Sequence, residues 1–313
     1  MLHSQSTDIL LGALVADAAC LGMHWIYDPE QIEKIAKWRG GNSAFTPVDP
    51  KNYEGVKGYF AHAGRTLGML TQYGETLRLA IQSMNANDGA FDVAAYQGAF
   101  AAFFGPGGAY QGYIDRVTRG ALENIAKEQS PSGIDDDQNP AITRLPAIVA
   151  RYHDDENLTK ILTNAMQVTN VNDVAAAYSG AFADVLMRVM RDEPLDTALD
   201  AAAETADELI KADLKLALTS TGTNAVDFAG QIGRACHLPT AGSVMFYILK
   251  HSGSYREAVE QNIRAGGDNA GRAILIGAIM GRVHGIGTEN GVPISWLLQL
   301  KDGHSIWSEC EAF

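Results

Sequence analysis

The run Ile9, Leu10, Leu11, Ala13, Leu14, Val15 limits the fold more than any other feature of the chain. Wound as a helix it has no polar face, so other elements must surround it, and it belongs at the centre of a bundle. Ser6, Thr7 and Asp8 stand where such a helix starts, with side-chain oxygens for its free N–H groups. The apolar stretch continues to Met23, which raises a signal peptide or a membrane span. Neither is expected: no Lys or Arg precedes the run, Asp17 interrupts it, and it is shorter than the ~20 residues a span needs.

Elsewhere apolar residues recur at helical spacing, and alternating runs of Val, Ile and Thr are scarce. The pattern predicts an all-α chain with helices over 93–104, 110–127, 171–190, 198–211, 242–250 and 255–264. A last strong helix follows Gly266-Gly267 and carries Ile274, Leu275, Ala278 and Ile279 on one stripe. Asp28-Pro29, Gly40-Gly41, Gly105-Pro106-Gly107-Gly108 and Ser130-Pro131-Ser132-Gly133 read as connections. Residues 40–58 read as one long irregular loop, either a lid or a packed surface segment. No linker or repeat divides the chain, so a single domain over 1–313 is expected.

With 313 residues, 46% of them hydrophobic, the chain can hide a large core without disulfides. Its 37 acidic residues against 24 basic ones give a formal charge of -13, which works against nucleic-acid or anionic-membrane partners. Cys20, Cys236 and Cys310 have neither disulfide-framework nor zinc spacing, so a cytoplasmic protein is expected.

Several residues stand out chemically. Asp17 lies in the most apolar helix, where a carboxylate needs a partner; it is a site residue or a tie between helices. His24 and Trp25 pair an acid–base imidazole with an aromatic wall, or simply pack. Glu75 opens the amphipathic run Leu77, Ala80, Ile81, Met84 and favours the positive helix end. Asp268 and Asn269 are good caps for the last helix, and Arg272 is four residues on, within reach of Asp268. Gly107 and Gly108 offer backbone N–H groups to a phosphate ahead of the 110–127 helix.

Together these segments resemble the ADP-ribosylglycohydrolase family, which includes the dinitrogenase reductase-activating glycohydrolases and the jellyfish J-type crystallins. The N-terminal anchor is Leu11-Gly12-Ala13-Leu14-Val15-Ala16-Asp17-Ala18, similar to the family's Gly-Ala-x-x-Gly-Asp-Ala helix. The C-terminal anchor is Gly266-Gly267-Asp268-Asn269-Ala270-Gly271-Arg272-Ala273, similar to Gly-Gly-Asp-Thr-Asp-Thr-Asn-Ala. Asn139-Pro140-Ala141-Ile142-Thr143-Arg144-Leu145-Pro146 resembles an internal substrate-side motif, and Tyr73-Gly74-Glu75-Thr76 falls at the family's Thr-Asp-Asp-Thr. The resemblance implies a multi-helix orthogonal bundle and cleavage of an ADP-ribosyl bond. Two magnesium ions would orient the ribose and activate water.

The chain departs from the family where those ions sit. Tyr73 and Gly74 replace a threonine and an aspartate, Ala270 replaces another aspartate, and Arg272 brings in a cation. Two divalent ions want about six oxygen ligands each, so at most one magnesium site is expected, from Glu75, Thr76 and Asp268. Arg272 is expected to supply the missing positive charge by pairing with Asp268. Glu75, Asp268, His24 and Asp17 are then the catalytic candidates. Trp25, Gly107, Gly108, Asn139, Asn269 and Arg272 are candidate contacts to a small-molecule or protein-linked ADP-ribose-like substrate. The alternative is a non-catalytic ADP-ribose-binding or crystallin-like protein.

Overall fold

In the computed structural model of the chain, which describes residues 4–313, the apolar helix spans Gln5–Cys20. Residues 1–3 of the single-domain reading lie outside the described residues. Ser4 rather than Ser6 caps the helix, its hydroxyl accepting from Thr7 N at 3.1 Å. Every residue from Thr7 to Cys20 is buried, which accounts for the missing polar face. The apolar stretch with its following turn, Gln5–Met23, is long and apolar enough to cross a membrane, but 94% of its apolar window is buried inside the fold.

The helix Asn269–His284 runs antiparallel against this core helix, and glycines let the two backbones touch. A Cβ on Gly12 would strike the Gly277 carbonyl, and one on Gly281 would strike the Asp8 carbonyl. The antiparallel crossing has a functional consequence. It lays the end of the first helix, with His24 just beyond it, beside the start of the second, which Asp268 caps.

The described residues form sixteen α-helices and no strand, with only isolated backbone bridges. The helix predicted over 198–211 is two, Leu195–Thr205 and Glu208–Thr219, because Asp207 starts a new cap by accepting from Leu209 N at 2.9 Å. The helix predicted from 110 begins at Arg116, where the Asp115 carboxylate accepts from Thr118 N at 2.6 Å. The 40–58 segment holds one short turn, Pro50–Tyr53. Gln72–Asn85 packs on the core helix and brings Tyr73 and Glu75 toward the same end of the bundle.

Candidate functional site

Asp268 is fully buried and fully engaged. Its Oδ1 accepts from His24 Nε2 at 2.7 Å and from Gly271 N at 3.2 Å. Its Oδ2 accepts from Tyr73 OH and from Asn139 Nδ2, both at 2.9 Å. Burial by itself would raise its pKa. The His24 hydrogen bond and charge, the Asn139 hydrogen bond and the nearby Arg272 charge outweigh that and leave it below the ordinary carboxylate value. Asp268 is therefore an anion that accepts and never donates, which assigns the proton to His24 Nε2.

Two short segments hold His24 against it. Trp25 N donates to Gly267 O at 2.9 Å and Gly267 N to Ile26 O at 2.7 Å, so the 24–26 and 266–268 stretches are laced together. Gly267 has φ of 68°, and a Cβ there would strike the Arg234 carbonyl. Trp25 itself sits at φ of 65°, a conformation that costs a bulky residue on the order of 1–3 kcal/mol. Its ring lies 4.5 Å from that of His24 and edge-on to Tyr113 at 5.1 Å.

The other His24 nitrogen meets a residue that the sequence did not single out. Nδ1 lies 2.7 Å from His62 Nε2, and the two rings stack at 5.0 Å. Burial, then the neighbouring His24 and Arg65, push the His62 pKa well below its ordinary value, so His62 is neutral. One proton lies between His24 Nδ1 and His62 Nε2, and the contact admits either ring as its donor. The remaining His62 nitrogen, Nδ1, is buried without a partner. His62, His24, Trp25, Tyr113 and Asp115 line a cavity of about 10 Å³, roughly the space of one water. Trp25 Nε1 is likewise buried and unpartnered.

The remaining expected residues have other duties. Asp17 accepts from Thr71 N at 2.7 Å and Thr71 Oγ1 at 2.5 Å, tying the core helix to the cap of Gln72–Asn85. Burial raises its pKa to about 7. A Cβ on Gly74 would collide with this carboxylate, so any side chain there would have to displace Asp17 from Thr71. Glu75 does not form an acidic pair with Asp268: its carboxylate is held by Arg65 Nη2 at 2.6 Å. Thr76 Oγ1 donates back to Gln72 O at 2.8 Å.

Arg272 does not pair with Asp268 either. It donates to Asn262 Oδ1 at 2.8 Å and to the Asn262 and Gly266 carbonyls at 3.3 and 2.6 Å. It thereby clamps the end of Tyr255–Ala265, and burial lowers its pKa to about 10. Asn269 Nδ2 donates to Met23 O at 3.1 Å, another tie between the two segments. In the glycine loop Gly108 N is taken up by Gly105 O at 2.9 Å, and the next helix begins only at Arg116.

The donor set does not fit a magnesium ion. No three His, Cys, Asp or Glu gather as a metal-holding group among the described residues. Both Asp268 oxygens already face N–H and O–H hydrogens, which repel a cation. Tyr73 also keeps its proton, since burial and then Asp268 push its pKa well above 10.

Compared with known proteins, the chain matches the family model described as ADP-ribosylglycohydrolase over residues 2–313. Crystallin J1A of Tripedalia cystophora is 23% identical over 312 residues, covering 95% of this chain and 92% of that protein. Crystallin J1B of the same organism is 22% identical over 311 residues, with the same coverage. A solved structure titled ADP-ribosylglycohydrolase-related protein complex superposes with a TM-score of 0.72 at 16% identity, covering 98% of this chain and 96% of its own.

Proposed function

Because the chain belongs to the ADP-ribosylglycohydrolase family, we propose that it hydrolyses an ADP-ribosyl or related ribosyl glycosidic bond without metal ions, with His62 as the base. The observation that carries this reading is the buried line Asp268–His24–His62, which ends in an unpartnered His62 Nδ1, with His62 in the lining of a one-water cavity. As the bond to the leaving group lengthens, positive charge grows on the ribose ring, and water attacks the anomeric carbon. In this reading His62 carries its proton on Nε2: Nδ1 takes the water's proton while the Nε2 proton passes to His24 Nδ1, and the leaving group departs with the electron pair of the broken bond. The resulting imidazolium lies against the Asp268 carboxylate, which favours that charge. The cavity is too small for a ribose, so the rings of Trp25, Tyr59 and Tyr113, in mutual contact at 5.1 to 5.8 Å, must part to admit the substrate.

The test is release of ADP-ribose from ADP-ribosyl-arginine and from ADP-ribose acetylated at its anomeric oxygen, with chelator and with magnesium. Turnover should be equal in both and fall about 100-fold or more in His62→Ala, the usual worth of a general base. Turnover that requires magnesium, or its absence on both substrates, would overturn the reading. The second reading is a protein with this fold and no turnover. The small size of the cavity and the similarity to two proteins named crystallins favour it.

A further inference from the structure

Between the helices Leu158–Met166 and Asp173–Met190 lies a cavity of about 450 Å³ that shares no residue with the one beside Asp268. Its size falls in the range of roughly 300–1,000 Å³ typical of small-molecule sites. Leu158, Leu162, Met166, Ala183 and Met187 give it an apolar floor. Ser179 and His153 belong to its lining, and their Oγ and Nδ1 atoms are buried without hydrogen-bond partners. Ser179 is only 6% exposed. A helical serine ordinarily donates to the carbonyl one turn back. This one does not.

The mouth is acidic. Asp154 faces His153 Nε2 at 3.3 Å and Arg191 Nη2 at 3.4 Å. Asp155 accepts from Asn157 N at 2.7 Å within its turn. Among the described residues neither Asp155 nor Glu156 has an ion-pair partner. Two uncompensated carboxylates thus stand over an apolar trough, on a chain of net charge -13. An anion is repelled there, and a neutral apolar molecule gains only the floor.

We propose that this cavity binds a hydrophobic organic ammonium. Its apolar stem lies along the floor between Leu162 and Met187, and its charged amine meets Asp155 and Glu156. The site does not depend on the hydrolase reading, and its test reads binding rather than turnover.

Calorimetric titration and thermal unfolding of the whole protein with 2-phenylethylammonium, 2-phenylethanol and phenylacetate separate the contributions. The ammonium should raise the melting temperature and bind at least about tenfold more tightly than the alcohol, and the carboxylate should not bind. Glu156→Gln should weaken the ammonium severalfold and leave the alcohol unchanged. Gly180→Leu should abolish binding of both. A Cβ there meets nothing within 4 Å, so the fold has room for it. Equal binding of all three probes, no binding of any, or undiminished binding by Gly180→Leu would overturn the proposal.

Discussion

Tyr73 puts a hydroxyl where the resembling motif has a threonine, but the longer side chain carries it to Asp268 Oδ2 at 2.9 Å. With His24 and Asn139 it supplies hydrogen-bond donors to a buried carboxylate. Tyr73→Phe removes one charge-assisted bond and should cost about 1.5–3 kcal/mol in urea unfolding at pH 7. It should also raise the Asp268 pKa, since a donor to the charged form is gone. No change in unfolding free energy would show that this hydroxyl does not hold the carboxylate. At this scale the sequence was partly legible. Asp268 could be singled out as a cap after two glycines, and His24 by its place beside Trp25. The contact between Glu75 and Arg65 was hidden, because nine residues of irregular loop and helix start separate them. His62 was hidden for the same reason. It sits between two alanines in a loop without periodicity, and nothing local says that it stacks on a histidine 38 positions away.

Among the elements, the crossing of Gln5–Cys20 with Asn269–His284 decides where the chemistry sits. Its closeness rests on Gly12, Gly277 and Gly281, each of which would drive a Cβ into a backbone carbonyl of the other helix. A carbonyl inside a helix cannot swing aside as a side chain can, so Gly12→Ala should force the helices apart and cost about 3 kcal/mol. The matching control is Gly98→Ala in Val93–Phe104, where a Cβ meets nothing within 4 Å. There the same change should stabilise by up to about 1 kcal/mol through helix propensity. Urea midpoints of the two variants should move in opposite directions; movement in the same direction would mean that Gly12 has slack around it. Helices were readable where apolar spacing was strong, as at 93–104, and misplaced where caps competed with it. Asp115 and Asp207 each begin a helix inside a stretch that reads as continuous, because a carboxylate accepting from N–H groups two or three residues on outweighs the weak preference to extend.

For the molecule as a whole, stability as a function of pH carries the imprint of two buried groups with opposite signs. Burial raises Asp17 from 3.8 to about 7, with Glu75 adding to the rise and the Thr71 bonds and Arg65 opposing it. Its folded pKa is the higher one, so its contribution is complete below 3.8 and is lost as pH climbs through about 7. His62 is the reverse. Its folded pKa lies well below 6.5, so stability is complete above 6.5 and falls as pH drops and the unfolded chain takes up the proton first. The two slopes oppose each other between about pH 4 and 6.5. Asp268, depressed below 3.8, loses its contribution only at lower pH. Self-repulsion from a net charge of -13 adds a background common to all variants, so the informative quantity is the difference between a variant and the parent. Asn at position 17 keeps the geometry, accepting from Thr71 N and donating to Thr71 Oγ1, but it does not titrate. Relative to the parent, Asp17→Asn should gain about 1.4 kcal/mol of unfolding free energy per pH unit across that window. The gain should level off above pH 7. His62→Gln should show the complementary trend, losing its relative advantage as pH rises toward 6.5. Urea unfolding in steps from pH 4 to pH 8 measures both, and a Asp17→Asn curve parallel to the parent's would mean that the carboxyl of Asp17 is already ionised throughout in the folded protein.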